Sequence, residues 1–398
     1  MASSLATSAA SLRNDRCPFR RCSSLFPVPS TALPATTTRT NGQECVRACS
    51  TALPAGRLEL TRVRDANEHG RCSGGVRALQ WQPRGALLLA AGLDKRLSFF
   101  AVDGTRNAPV QSLFLADLPV HTAHFVAGGT QVVAAGRRPF FYVADLASQA
   151  VLRIKGLHGR ADASLERFVV PPADSAGDDQ RACLVFLGTA GALPLVSVRS
   201  HQLVGQLQMS GTVRAAAFSP DGLSLYAAGG DGYVHLWDVR MRRCRHRFVD
   251  DACVRSSALA VSNSTLAAAS HAGVVNIYDR IQCLAPAATD TVRAVRAPVA
   301  AAAVQPKKRV TNLVTRVDAL AFSSDGALLC VASPLQKNAL RVVHVPSLTV
   351  FSNWPTARSP LHAVHSVAFS PSGAFLAVGN ARGHVLTYRL HHYAGDAH

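Results

Sequence analysis

From residue 57 onward, apolar and polar positions alternate over short runs that are broken by clusters of Gly, Asp, Ser and Pro. A period of two turns one face of each run toward a core, the signature of half-buried strands; the 3.6-residue period of a helix is almost missing. GGDGYVHLWDVR, Gly229 to Arg240, shows the pattern well: a tight Gly-Asp-Gly turn feeds an alternating strand that ends in the one Trp-Asp pair of the chain.

That strand end recurs. With Asp238 as the landmark, comparable ends fall at Ala101, Asp145, Ser197, Asp279, His344 and Arg389. Four of the six gaps span 41–45 residues, the period of a WD-type propeller blade. The two longer gaps mark insertions near 158–181 and 281–306, both read as surface loops. A second landmark is independent of the first. Trp81, Phe125, Phe218, Phe322 and Phe369 each stand 20–22 residues ahead of a strand end. Four of these five open turns of one kind, WQPRG, FSPDG, FSSDG and FSPSG. Pro presets φ in such a turn and Gly supplies the positive φ that follows.

Two landmarks in one register predict an all-β fold, a seven-bladed WD-type β-propeller over residues 57–398, each blade a four-stranded antiparallel sheet. RLELTRV (57–63) lies upstream of the first aromatic strand and is expected to pair as the outer strand of the last blade, closing the ring. Asp94 and Asp231 suit strand-connecting turns where a carboxylate bonds backbone amides. The equivalent places hold Ala190, Ala272 and Arg382, so apolar packing must carry most of the blades.

Residues 1–56 break the pattern. They hold 15 Ser and Thr, six Arg and two acids, with no hydrophobic period. This composition fits a disordered tail, and it also resembles an organelle transit peptide; no continuous apolar run of a secretory signal follows its arginines. Over the whole chain 48% of residues are apolar, enough for a large core, and no window approaches the roughly 18–20 uninterrupted apolar residues of a membrane-spanning helix. The chain reads as soluble. Its 42 Lys and Arg against 24 Asp and Glu give a net charge of +18. That excess favours acidic partners such as RNA, DNA or an anionic surface without choosing among them.

Chemistry is sparse. Ten cysteines form no CxxC; Cys183, Cys253 and Cys330 sit in apolar strand-like runs, and a reducing compartment is the simple reading. Cys17, Cys22, Cys45 and Cys49 could be drawn as a zinc site, but their neighbours offer no ordered frame. HExxH, GxSxG and Walker-type loops are missing, so no catalytic, cofactor or metal residues are assigned. Asp250-Asp251 reads as a turn. The histidine pairs His121/His124, His362/His365 and His391/His392 have spacings that turn the two imidazoles of a strand apart.

The basic clusters are sharper. In MRRCRHRF, Arg243, Arg245 and Arg247 share one face of the expected outermost strand of the fourth blade. They suit either a solvated edge that resists aggregation or contact with RNA phosphates or an acidic segment. Lys307, Lys308 and Arg309 close the second insertion and carry the same two readings. Trp237-Asp238-Val239-Arg240 also fits the WDxR pattern of propellers that dock on cullin-type ubiquitin-ligase adaptors, which gives an alternative reading as a substrate receptor.

Five stretches carry a further likeness: AGLDKRLSFFAVDGTRNAPVQSLFL (91–115), HRFVDDA (246–252), GVVNIYDR (273–280), LRVVHVPSLTVFSNWP (340–355) and VAFSPSGAFLAVGNARGHVLTYRLHHY (367–393), of which the AGLD…VDG…N run and the RLHHY ending are more specific than generic propeller signals. From about Leu53 to Tyr393 the chain resembles the WD-repeat family of U3 small nucleolar RNA-associated protein 18. The resemblance implies a nucleolar, non-catalytic scaffold of the small-subunit processome. It would sit among other propeller proteins and the U3 ribonucleoprotein, in early cleavage of pre-18S ribosomal RNA. Members of the family also carry a leucine-phenylalanine-x-apolar-acid motif that recruits the exosome's helicase. The nearest match here, Leu25-Phe26-Pro27-Val28-Pro29, has Pro29 in the place of the acid, so that recruitment is not carried over.

Overall fold

The computed structural model describes residues 53–157, 164–172, 182–251, 253–284, 302–356 and 358–393. Their strands form seven separate sheets, the seven blades of a β-propeller. The inner strands are Val76–Trp81, Thr122–Val126, Phe168–Val169, Val213–Phe218, Ser256–Val261, Ala319–Phe322 and Val364–Phe369. The strand-end landmarks have one structural meaning. Ala101, Asp145, Ser197, Asp238, Asp279 and His344 each end the third strand of a blade, and Arg389 is the penultimate residue of the last.

The aromatic landmarks end the inner strands, except that Phe125 is followed by Val126. Trp81, Phe125 and Phe218 are buried, whereas Phe322 and Phe369 are half-buried and pack against the core from its margin. In the turns after them Gly222, Gly326 and Gly373 have positive φ, as the turn type demands, and each donates its N–H back to a serine carbonyl. Gly85 departs from this expectation. Its φ is not positive, and a Cβ there would lie 2.4 Å from Oε1 of Gln82. Side chains also join neighbouring blades. Trp81 Nε1 donates to the Ala368 carbonyl (3.2 Å), and Gln80 Oε1 accepts the Phe125 N–H (2.6 Å).

Leu60–Arg62 is the outer strand of the last blade. It runs antiparallel to Val385–Leu390, with Leu60 opposite Leu390 and Thr61 opposite Arg389. The ladder continues past the strand on both sides, from Val63 N to Thr387 O (3.0 Å) and from His391 N to Glu59 O (3.2 Å).

Two sequence expectations need correction. The interval 158–181 is not all loop, because Phe168–Val169 pairs with Cys183–Phe186 as the inner strand of the third blade. Nor is Arg243–Val249 the outermost strand of the fourth. Ala302–Ala303 adds a fifth, parallel strand beside Phe248 and Val249. The chain runs along this edge before supplying Lys308–Val310, the outer strand of the fifth blade. Within the second insertion the described residues also form a short helix, Arg280–Leu284.

Candidate functional site

A repeated irregularity shapes the channel at the centre of the ring. In four inner strands the pairing register slips, between Val76 and Ala78, Val213 and Ala215, Ser256 and Ala258, and Val364 and Ser366. The residue left over each time is Arg77, Arg214, Ser257 or His365. A bulge re-aims the side chain of its extra residue, and all four line the mouth of the channel. His121, Arg167 and Asp318, each just ahead of an inner strand, complete a ring of one residue per blade around a cavity of about 260 Å³. Toward the far ends of the inner strands a second cavity of about 510 Å³ is lined mostly by apolar residues, among them Phe125, Val170, Phe218 and Val261, and by the turn residues Pro83, Gly128 and Pro371. Val169, Ala216 and Leu259 border both cavities, so the two adjoin along the inner strands.

The mouth is electropositive. Glu166 is held by Arg137 (Nε to Oε2, 3.1 Å) and by His121 (3.3 Å). Burial alone would raise its carboxyl, but the Arg137 hydrogen bond and the nearby positive groups outweigh this and hold it below the usual range. Asp318 is engaged by Arg316 Nε at 2.5 Å. By contrast Arg77, Arg167 and Arg214 make no ion pair among the described residues. Arg77 Nη1 lies 3.4 Å from His365 Nδ1, and Arg167 Nη1 donates to the Arg214 carbonyl at 3.3 Å. Burial pushes the His121 imidazole down; Glu166 opposes this, and Arg137, Arg77 and Arg167 push it further. His365 is depressed by burial and then by Arg77, against Asp318. With both histidines biased to the neutral form, the charge of the mouth resides in its guanidinium groups.

His121 and His124 do not point to opposite faces as their spacing suggested. His121 precedes the strand Thr122–Val126, and the two border the channel at different depths. His124 packs edge-on to the Phe168 ring, 5.2 Å between centroids, beside Gln80; burial pushes it down to about 4. Among the described residues no group of three or more His, Cys, Asp or Glu could hold a metal ion. Cys17, Cys22, Cys45 and Cys49, like Leu25–Pro29, lie outside the described residues.

The predicted basic clusters lie on neighbouring outer edges. Arg243 is exposed, Arg245 pairs with Asp238, and the Arg247 guanidinium lies 5.1 Å from the Tyr233 ring centroid. Lys307 Nζ is 2.9 Å from Asp279, and Arg309 pairs with Asp251 at the end of the fourth blade's last antiparallel strand. Lys308 is exposed and makes no ion pair among the described residues. Half of the six candidates thus serve carboxylates of their own fold. Asp238, bonded by the Met241 N–H and then by Arg245, sits below the usual carboxylate range. Arg240, in the turn after it, is exposed.

Sequence reading passed over the channel ring, although a signal was there. Arg77, His121, Arg214, Asp318 and His365 each stand four residues ahead of a landmark aromatic. Each alone looks like an ordinary solvated polar residue; only the shared offset, with the bulge, sends them to one place.

Comparison with known proteins agrees with the ring and narrows the choice of relatives. The WD domain, G-beta repeat family matches residues 199–238 and 355–387. A U3 small nucleolar RNA-associated protein 18 homolog of Arabidopsis thaliana is 39% identical over 357 residues, covering 89% of this chain and 61% of that protein. The Homo sapiens homolog of the same name is 34% identical over 87% of this chain and 59% of its own length. The Saccharomyces cerevisiae protein is 30% identical over 86% and 62%. The chain therefore spans about three-fifths of the length of these relatives.

Proposed function

The chain belongs, over most of its length, to the U3 small nucleolar RNA-associated protein 18 family, and on that premise we propose that it is a non-catalytic scaffold of the small-subunit processome. In this reading it acts in the nucleolus, beside other propeller proteins and the U3 ribonucleoprotein, and supports U3-dependent processing of pre-18S ribosomal RNA. The observation that carries the proposal is the 39% identity sustained over 89% of the chain with a protein of that name. A rigid ring that offers strand edges, turns and a channel mouth to several partners at once is well suited to scaffolding. The exposed cations Arg243 and Lys308 supply phosphate contacts in this account.

The test is a pull-down of the tagged full chain with sequencing of the bound RNA and identification of the bound proteins. The expected result is enrichment of U3 RNA and pre-18S fragments together with other propeller proteins. A folded bait that recovers none of these overturns the proposal. Recovery of a ubiquitin-ligase adaptor instead, lost in Arg240→Ala, would favour the substrate-receptor reading.

A further inference from the structure

We infer that the channel mouth is a docking site for an extended acidic peptide segment whose acids are followed by large apolar side chains. Three observations converge on this partner. First, Arg77, Arg167 and Arg214 are exposed at one opening and engage no carboxylate among the described residues. The two nearby acids are already used, Glu166 by Arg137 and His121, and Asp318 by Arg316. Unpaired guanidinium groups in a concave mouth attract carboxylates and bind them bidentately.

Second, the positions are built rather than scattered. Arg77 and Arg214 are the extra residues of β-bulges at equivalent points of two blades. Arg167 is steadied by its bond to the Arg214 carbonyl. Third, the cavity beyond the charges is lined mostly by apolar side chains, with Gln80 and His124 among them. A ligand that satisfies the arginines meets Val169, Phe218, Leu259 and Val261 next. This order separates the candidate partners. A nucleic-acid strand that set a base in this chamber would bring edge donors and acceptors that Val169, Leu259 and Val261 leave unpaired. A peptide can place glutamates at the rim and a Leu or Phe behind them. The mouth, about 260 Å³, holds a few side chains and not a duplex.

The site is independent of the processome reading and is tested on the full chain by fluorescence anisotropy. The probe is a labelled peptide of four glutamates followed by Leu-Leu-Phe, compared with the same peptide ending in Ser-Ser-Ser and with decauridylate. Saturable binding of the first peptide is expected, weakened at least tenfold by the serine ending and at least tenfold by Arg77→Glu with Arg214→Glu. Unchanged melting shows that the double variant is folded; if it is not, Arg77→Gln with Arg214→Gln replaces it. Absence of binding, or binding indifferent to both the arginines and the apolar ending, overturns the inference. Decauridylate binding that exceeds the peptide's and is lost in the variant would assign the mouth to RNA and overturn it equally.

Discussion

Asp250 shows what a single residue contributes. It belongs to a turn, as its sequence suggested, but its side chain is only 1% exposed and its Oδ1 accepts hydrogen bonds from Asn276 Nδ2 (2.7 Å) and Tyr278 Oη (2.6 Å). Burial raises the Asp250 carboxyl above its ordinary range, and the two hydrogen bonds only partly offset this. Asp250→Ala would leave the Tyr278 hydroxyl without its acceptor, while Asn276 Nδ2 keeps the Asp251 carbonyl (2.7 Å), and is expected to cost about 1–3 kcal/mol in urea unfolding. The pH dependence has a definite sign. A carboxyl whose pKa is higher in the folded state gives its full stabilisation below the unfolded value and loses it as pH rises through the folded value. Asp250→Asn, which keeps an acceptor and never ionises, should therefore gain on the parent between acid and neutral pH. Equal stability differences at pH 3 and pH 7 would contradict this. The aromatic landmarks differ in the same way. Phe218→Ala, at a buried position, should cost about 3–5 kcal/mol. Phe369→Ala, at the core margin, should cost less, a ranking that thermal melting will check.

At the scale of elements, Leu60–Arg62 is three residues long, yet it is the outer strand of the blade that joins the two ends of the ring. Thr61 lies midway between the two flanking ladder bonds, from Val63 N and to Glu59 O, so its N–H belongs to the same hydrogen-bonded series. Thr61→Pro removes that donor and is expected to lower stability by about 1–3 kcal/mol; an unchanged melting temperature would show that the last blade needs no such strand. Legibility followed the physics of each element. Third strands ending in Asp145, Asp238 or Asp279 combine alternation with a turn residue, and the period finds them. Phe168–Val169 is too short to alternate, and Ala302–Ala303 has no polar partner positions to set a pattern. The fold class was therefore readable while two strands within the insertions were not. Arg77 and Arg214 share an offset of four residues from Trp81 and Phe218, but only ring closure and the bulges bring them together, and Arg167 lacks even that offset.

For the whole molecule, net charge is a poor guide to binding until internal pairs are set aside. Arg245, Lys307 and Arg309 neutralise Asp238, Asp279 and Asp251, so their loss should act mainly on the fold. Arg243→Ser with Lys308→Ser should leave melting unchanged. In the same variant the salt slope of single-stranded RNA binding should fall by about 1.4, at ~0.7 per phosphate contact; an unaltered slope would remove this edge from the RNA account. Ring closure carries a further consequence, for biosynthesis. Leu60 emerges early from the ribosome and cannot meet Leu390 until 330 more residues have been joined. At ~5–20 residues per second this takes roughly 15–65 s. Throughout that interval the nascent chain holds an unmated outer strand and growing blades with an open flank. Such a chain is expected to depend on co-translational chaperones, so its yield should track their supply more closely than the stability of the finished ring would suggest.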